Sequence, residues 1–366
     1  MNVTLFHVDG KLPNIALMRI AAHHKNLGDQ VTLRNGRTEM EIIPDMFYGP
    51  SDLVYASLIF EKSRSLGEYL IRMYPGAIVG GTGWDVSSRL EDHGIHGLDQ
   101  DYSIYPDYEN SIGFTQRGCR LKCSFCVVPK KEGKVQSVYG IDRIWRGDPW
   151  PRNLVLLDND FFGQEGWRVH IKDIREGGFS VSFCQGINAR FLNKDSAAAI
   201  ASVNYRSNNF KSKRIYTAWD NRKDEARLFR GLQYLVDAGI RPRHIMVYML
   251  IGYWPGENDS DWEYRRSQLR DFGCDPYPMP FVRNRKTVGF QRFVCGAYDK
   301  RISWEDWKRA DYRPRRLGAR SESEGGCGAP GCFQGKISKN QGHAGAMLFD
   351  CPKCKGLGTQ SENEEG

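Results

Sequence analysis

Gly118-Cys119-Arg120-Leu121-Lys122-Cys123-Ser124-Phe125-Cys126 is the stretch around which the rest of the chain is arranged. Three cysteines spaced C-x3-C-x2-C can converge on one small object, and three thiolates are one short of closing a four-iron cluster. An iron without a protein ligand is an open coordination site, which suits a bound, reacting molecule better than plain electron transfer. The competing reading is a zinc knuckle completed by a distant histidine, because zinc also accepts three cysteines and one histidine.

The 366 residues, 40% of them hydrophobic, suffice for two domains and a small appendage. No apolar run approaches the roughly 18 residues of a membrane span, and MNVTLFHVDGKLPN lacks the basic and apolar regions of a secretory signal. A cytoplasmic protein with no membrane partner is the expectation. Ten cysteines fit metal binding better than a disulfide framework, since seven of them fall into two tight groups. Cys184, Cys274 and Cys295 are isolated and read as small buried apolar residues.

Upstream of the loop, strand and helix alternate. VTLFHV, QVTLR, DLVYASLIF and AIVGG read as strands, and IALMRIAAHHKNLG and SRSLGEYLIRMYP as helices. An apolar run such as DLVYASLIF suits a parallel strand buried on both faces. The pattern predicts an N-terminal doubly wound, Rossmann-like domain over residues 1–100. Gly80-Gly81-Thr82-Gly83 would lie at a carboxyl-end crevice, either admitting a ligand closely or making a tight turn.

Downstream, a second series places strands at LVLLD, FSVSFCQ, KRIYTAW and HIMVYMLIGY, with helices at NKDSAAAIASV and EARLFRGLQYLVDAG. The spacing fits a full or partial βα barrel within residues 101–299. Pro276, Pro278 and Pro280 alternate and impose an extended segment, either lining the barrel mouth or closing the strand set. Residues 300–326 form a basic linker. Between Lys300 and Arg320, eight Lys or Arg face three Asp or Glu, interleaved with Trp304, Trp307 and Tyr312. Such a mixture grips phosphates and stacks bases, and an amphipathic helix with its linker produces it equally well. Cys327-x4-Cys332 and Cys351-x2-Cys354, 18 residues apart, match a four-cysteine metal segment over 327–358, ahead of an acidic tail at 359–366.

With a CxxxCxxC loop after the first strand of a βα series, the chain resembles the radical S-adenosylmethionine (SAM) superfamily over about residues 111–260. The likeness extends to Phe125, to Asp158-Asn159-Asp160, to Gln185-Gly186-Ile187-Asn188-Ala189-Arg190, and to Met249 through Glu257 with its Pro-Gly-Glu turn. It implies a partial barrel of radical SAM type in which Cys119, Cys123 and Cys126 hold a 4Fe–4S cluster and SAM chelates the fourth iron. It further implies that Phe125 and Ile251 lie against adenine and that Asp158 or Asp160 accepts from the SAM ammonium. Arg190, or its rival Asn188, would take the carboxylate, and Asp220 the ribose hydroxyls. Helix N-caps are the alternative for the three aspartates, a structural ion pair for Arg190.

Gln116 to Cys119 and Cys123 to Gly133 are similar to the methylthiotransferase branch, although residues 1–118 contain none of the further cysteines that branch uses. The N-terminal half is similar to a cobalamin-binding-type domain, but Asp-x-His-x-x-Gly is absent, which leaves cobalamin without an axial histidine, or a scaffold. Cys351-Pro-Lys-Cys354 resembles a zinc-ribbon or DnaJ-type hairpin, so Cys327, Cys332, Cys351 and Cys354 are expected to hold zinc, or else a second iron–sulfur cluster. The implied activity is radical modification of a macromolecule such as RNA by methyl or methylthio transfer, with a flavodoxin or ferredoxin as reductant. The alternatives are a cobalamin-dependent enzyme acting on a peptide or small metabolite, and a non-catalytic nucleic-acid-binding protein.

Overall fold

The structure, a computed structural model, describes residues 1–44 and 49–309, and the backbone of three strands beyond them. The chain divides into two compact units, Met1–Ala297 and Tyr298–Gly366. The fold is mixed α/β with parallel sheets.

The first sheet consists of β1 (Asn2–His7), β2 (Gln30–Asn35), β3 (Leu53–Ser57) and β4 (Ile78–Gly80), all parallel, in the order β2-β1-β3-β4. β1 and β3 are central and buried along almost their whole length, which is why they read as continuous apolar runs. α1 (Ile15–Asn26) starts at Asn14, whose side chain accepts from Leu17 N, and crosses to β2. α2 (Glu39–Ile42) follows β2, and α3 (Arg64–Met73) joins β3 to β4.

The second half begins with β5 (Ser111–Gly113) and a short antiparallel pair, β6 (Gln116–Arg117) with β7 (Gln136–Ser137), which brackets the cysteine loop and α4 (Val128–Lys131). After α5 (Ile141–Ile144), β8 (Asn153–Leu156) pairs parallel with β5. α6 (Trp167–Glu176) leads to β9 (Ser180–Phe183), and α7 (Lys194–Ala201) to β10 (Asn204–Tyr205), giving the sheet order β10-β9-β8-β5. β11 (Ile215–Ala218), α8 (Glu225–Asp237), β12 (Ile245–Ile251), α9 (Asp259–Asp271) and β13 (Asp275–Pro280) form a further parallel sheet, β11-β12-β13, followed by α10 (Arg285–Cys295). Just past β9, Ile187 N donates to Tyr216 O at 2.8 Å, joining the two sheets at their carboxyl side.

Pro276, Pro278 and Pro280 lie opposite Val247, Met249 and Ile251 on the edge strand β13. In this register Asp275, Tyr277 and Met279 turn their N–H groups toward β12, and the prolines face outward, where no ladder donor is needed. Packing does not break at residue 100, because Ile104, Ile112 and Val155 share a core cluster with Val3, Leu5, Leu17 and Met18.

In the second unit, α11 (Trp304–Arg309) buries Trp304 and Trp307, the latter 4.5 Å from the Tyr298 ring, so these indoles are packing groups. β14 (Cys332–Phe333), β15 (Lys336–Lys339) and β16 (Met347–Asp350) form an antiparallel sheet. Tyr312, Cys327, Cys351, Cys354, the Cys332 side chain and the acidic tail lie outside the described residues. Among the described residues no helix is long and apolar enough to cross a membrane.

Candidate functional site

The cysteine loop leaves the carboxyl end of β5 and is pinned at both ends. Gly118 has φ +78°, and a Cβ there would run into the Lys134 carbonyl, so only glycine fits this crossing. Glu132 fastens the same point. Its carboxylate accepts from Gly118 N at 2.9 Å, Arg117 at 2.6 Å and Asn159 Nδ2 at 2.8 Å. Within the loop, Cys119 N donates to Gly133 O, Leu121 N to Cys119 Sγ and Cys126 N to Cys123 O.

Cys119, Cys123 and Cys126 are free and partly exposed. Burial pushes the Cys119 and Cys123 thiols above their ordinary range, and the Arg190 guanidinium beside Cys123 opposes this. Among the described residues no group of three or more His, Cys, Asp or Glu side chains is placed so as to hold a metal ion. Three half-buried thiols on one loop, with Arg117, Arg120, Lys122, Lys130, Lys131 and Lys134 outnumbering Glu132, are by their chemistry a fitting donor set for an anionic iron–sulfur cluster.

The loop leans on the segment after β8. Asp158, 3% exposed, spends both oxygens there, accepting from Thr115 Oγ1 and Gln116 N, each at 2.8 Å. It has no ion-pair partner among the described residues, and burial pushes this carboxyl up to about 7. Asp160 is buried in an ion pair with Arg120, Nε to Oδ2 at 2.8 Å. Neither caps a helix through its side chain; both buttress the loop.

Opposite the loop stand the carboxyl ends of β9, β11 and β12. Arg190 donates to Asn188 Oδ1 at 3.1 Å and pairs with Asp224 at 2.5 Å, and the same guanidinium reaches Cys123. Asp220 is not a cap either, since Asn221 performs that role through Lys223 N. Burial raises the Asp220 carboxyl to about 6, against the pull of Arg190 and Arg265. Trp254 Nε1 donates to Asp220 O at 2.7 Å, and Tyr253 Oη to Ser124 Oγ at 2.9 Å. The Phe125 ring meets those of Tyr253 and Trp254 edge-on, with centroids 5.4 and 6.3 Å away. Ile251 is sealed in the core, its carbonyl accepting from Phe281 N.

Thus Cys119, Cys123, Cys126, Phe125, Asn188, Arg190 and Asp220 come together at one mouth, and Asp158, Asp160 and Ile251 stand behind it. Several members were not singled out from the sequence. Glu132 closes the loop, Asp224 holds Arg190, and Glu257 accepts from Gly252 N at 2.9 Å and pairs with buried Arg265 at 2.5 Å. The Pro-Gly-Glu turn was the signal for Glu257; the others are long-range polar pairings with no local mark.

The crevice of the first sheet is adjacent. Gly81 and Gly83 press on the backbone of Leu58 and Phe60, where a Cβ at either would collide, so these glycines serve a tight turn. Lys131 Nζ donates to Thr82 Oγ1 at 2.8 Å, tying that turn to the cysteine loop. His7, 4% exposed, shares a hydrogen bond between Nδ1 and Tyr105 Oη at 3.2 Å, and burial lowers its pKa. Compared with known proteins, the chain matches no family model and no curated protein.

Proposed function

We propose that the chain is a radical SAM enzyme, with the parallel strands β5, β8, β9, β11, β12 and β13 forming a partial βα barrel around the site. The observation that carries this reading is the mouth itself. Three free, half-buried thiols on one glycine-locked loop face a fixed guanidinium, a buried carboxylate and a ring wall. Cys119, Cys123 and Cys126 would hold a 4Fe–4S cluster. When bound, that group and SAM supply one-electron cleavage of SAM to methionine and a 5′-deoxyadenosyl radical.

The chain's own part is binding, orientation and exclusion of water. Arg190, held by Asn188 and Asp224, presents a guanidinium for a carboxylate, for which its planar fork is suited. Asp220 offers a desolvated carboxylate for ribose hydroxyls, and Phe125 with Trp254 offers apolar faces for adenine. Asp158 and Asp160 act on the ligand only through the loop they brace.

For the product, methyl or methylthio transfer to a macromolecule such as RNA follows from the likeness of Gln116 to Gly133 to methylthiotransferases, with a flavodoxin or ferredoxin as electron donor. The Thr82–Lys131 link favours a second reading, in which the first domain presents cobalamin to the same mouth and the substrate is a peptide or metabolite. The C-terminal antiparallel strands would belong to a four-cysteine zinc ribbon.

Anaerobic reconstitution with iron and sulfide, followed by SAM and dithionite, tests the reading. 5′-Deoxyadenosine should form and should be lost in Cys119→Ala, Cys123→Ala and Cys126→Ala. S-Adenosylhomocysteine alongside it would mark methyl transfer, and retained corrinoid absorbance after addition of hydroxocobalamin would favour the second reading. Absence of 5′-deoxyadenosine from iron-loaded protein would overturn both.

A further inference from the structure

A cavity of about 620 Å³ lies away from the mouth, at the amino ends of β5 and β8. Its walls come from the segment before β5, with Gln100 and Tyr102, and from the segment before β8, with Arg143, Arg146 and Trp150. The volume lies in the range of small-molecule sites.

Arg146 is the unusual group. Its guanidinium is clamped between two rings, 3.5 Å from the Trp150 centroid and 4.1 Å from that of Tyr102, and Nη1 donates to Tyr108 O at 2.7 Å. No carboxylate lies within ion-pair distance of it among the described residues. Burial accordingly pulls this guanidinium below its ordinary pKa. The guanidinium is partly buried without an opposing carboxylate, and Nε and Nη2 retain unused donors. The acids at the rim do not offset it, because Asp99 pairs with Arg143 at 2.8 Å and Asp142 is exposed. Gln100 Oε1 is a buried acceptor without a partner.

We propose that this cavity binds a nucleoside phosphate, with the phosphate on the free edge of Arg146 and the base against the aromatic wall of Trp150 and Tyr139. Clamping by two rings fixes the guanidinium in advance, so little side-chain freedom is lost on binding an anion. Trp150 and Tyr139 line the cavity with rings that can stack a base, a contact a compact anion such as phosphate alone would not use. Asp142 at the rim has the acceptor chemistry for a ribose hydroxyl, and Gln100 Oε1 for a base amino group. The ligand is either a free nucleotide or a nucleotide within single-stranded RNA.

The test titrates full-length protein with AMP, adenosine, inorganic phosphate and a short single-stranded RNA, by calorimetry and tryptophan fluorescence. AMP or the RNA should bind saturably, and Trp150→Leu and Arg146→Met should each weaken binding about tenfold or more, the loss expected for one base-stacking or charge-assisted contact. Adenosine should bind more weakly than AMP and be insensitive to Arg146→Met. Binding of AMP alone identifies a free nucleotide, whereas tighter RNA binding that is equally sensitive to Trp150→Leu identifies a docked strand. If Arg146→Met does not fold, Trp150→Leu and Arg146→Lys, which keeps the charge but not the planar fork, decide. The titration is repeated with Cys119→Ala protein, in which binding should persist. Loss of binding there, no saturable binding at all, or binding indifferent to Trp150→Leu and to the Arg146 variant would overturn the proposal.

Discussion

Asp158→Asn replaces a buried carboxylate that has no ion-pair partner among the described residues, and its effect should grow with pH. The carboxyl is pushed from 3.8 to about 7 by burial, against the smaller opposing pull of the Gln116 N–H and Thr115 hydroxyl. The folded form therefore holds its proton over a range in which the unfolded chain has released it. Stability is fully present below the unfolded value, falls as pH rises from about 4 to about 7, and then levels off. At about 1.36 kcal/mol per pH unit, that window corresponds to a loss of about 4 kcal/mol. Asparagine removes this dependence but costs something itself. Its carbonyl can still accept from Gln116 N, whereas its N–H must face Thr115 Oγ1, which already accepts from Gln164 Nε2 at 2.8 Å. One weakened hydrogen bond amounts to about 1 kcal/mol. Urea unfolding between pH 4.5 and 8 should therefore show the variant about as stable as the parent at the acid end, where the parent has already lost about 1 kcal/mol, and about 3 kcal/mol more stable at pH 8, the difference of these two effects. A variant that is less stable than the parent throughout, by an amount that does not change with pH, would show that Asp158 is ionised in the fold.

Two further outcomes follow from the loop and its supports. Gly118→Ala must hold a left-handed φ of +78°, at about 1–2 kcal/mol, and must also displace the Lys134 carbonyl. Iron bound per chain after reconstitution should fall several-fold while far-ultraviolet circular dichroism is kept. Arg265→Leu leaves Glu257 buried without its partner and frees the carbonyls of Trp219 and Leu250, so urea unfolding should show a loss of about 3–5 kcal/mol. A loss below about 1 kcal/mol would mean that solvent reaches Glu257.

Legibility in the sequence followed how locally each feature is determined. The strands of the first sheet announce themselves because parallel strands buried on both faces must be apolar along their length, as in Leu53–Ser57. Their order is not local, because it is set by where each crossover lands. The proline segment reads as extended, and of its two readings the strand-closing one matches β13; its register on Met246–Ile251, about 30 residues upstream, is not local. At the site, cysteine spacing marks the loop, while for Asp158 and Asp160 the resemblance offers a ligand role and their position a helix cap. Their contacts with Thr115, Gln116 and Arg120, some forty residues away, carry no local mark. Trp304 and Trp307 show the same limit, because basic and aromatic interleaving cannot tell a stacking surface from a buried helix face.

These placements divide the acids at the mouth into two kinds, and the division carries a prediction. Asp158 and Asp160 are buried and already bonded to the chain on both oxygens. Asp220 makes no ion pair among the described residues, although Arg190 and Arg265 both pull on it electrostatically. It is therefore the acid at the mouth with carboxylate valence to offer a hydroxyl, and charge-assisted bonds of that kind contribute about 1.5–3 kcal/mol. Asp220→Asn keeps the shape and removes the charge. SAM binding to reconstituted protein should weaken about tenfold or more in that variant, whereas Asp158→Asn, which touches only Thr115 and Gln116, should leave it within about twofold. Equal losses in both variants, with iron content unchanged, would mean that the mouth responds as one electrostatic body and that Asp220 has no direct role. A loss confined to Asp220→Asn would place the ribose at the carboxyl end of β11, with Trp254 holding the Asp220 backbone carbonyl as the anchor of that wall.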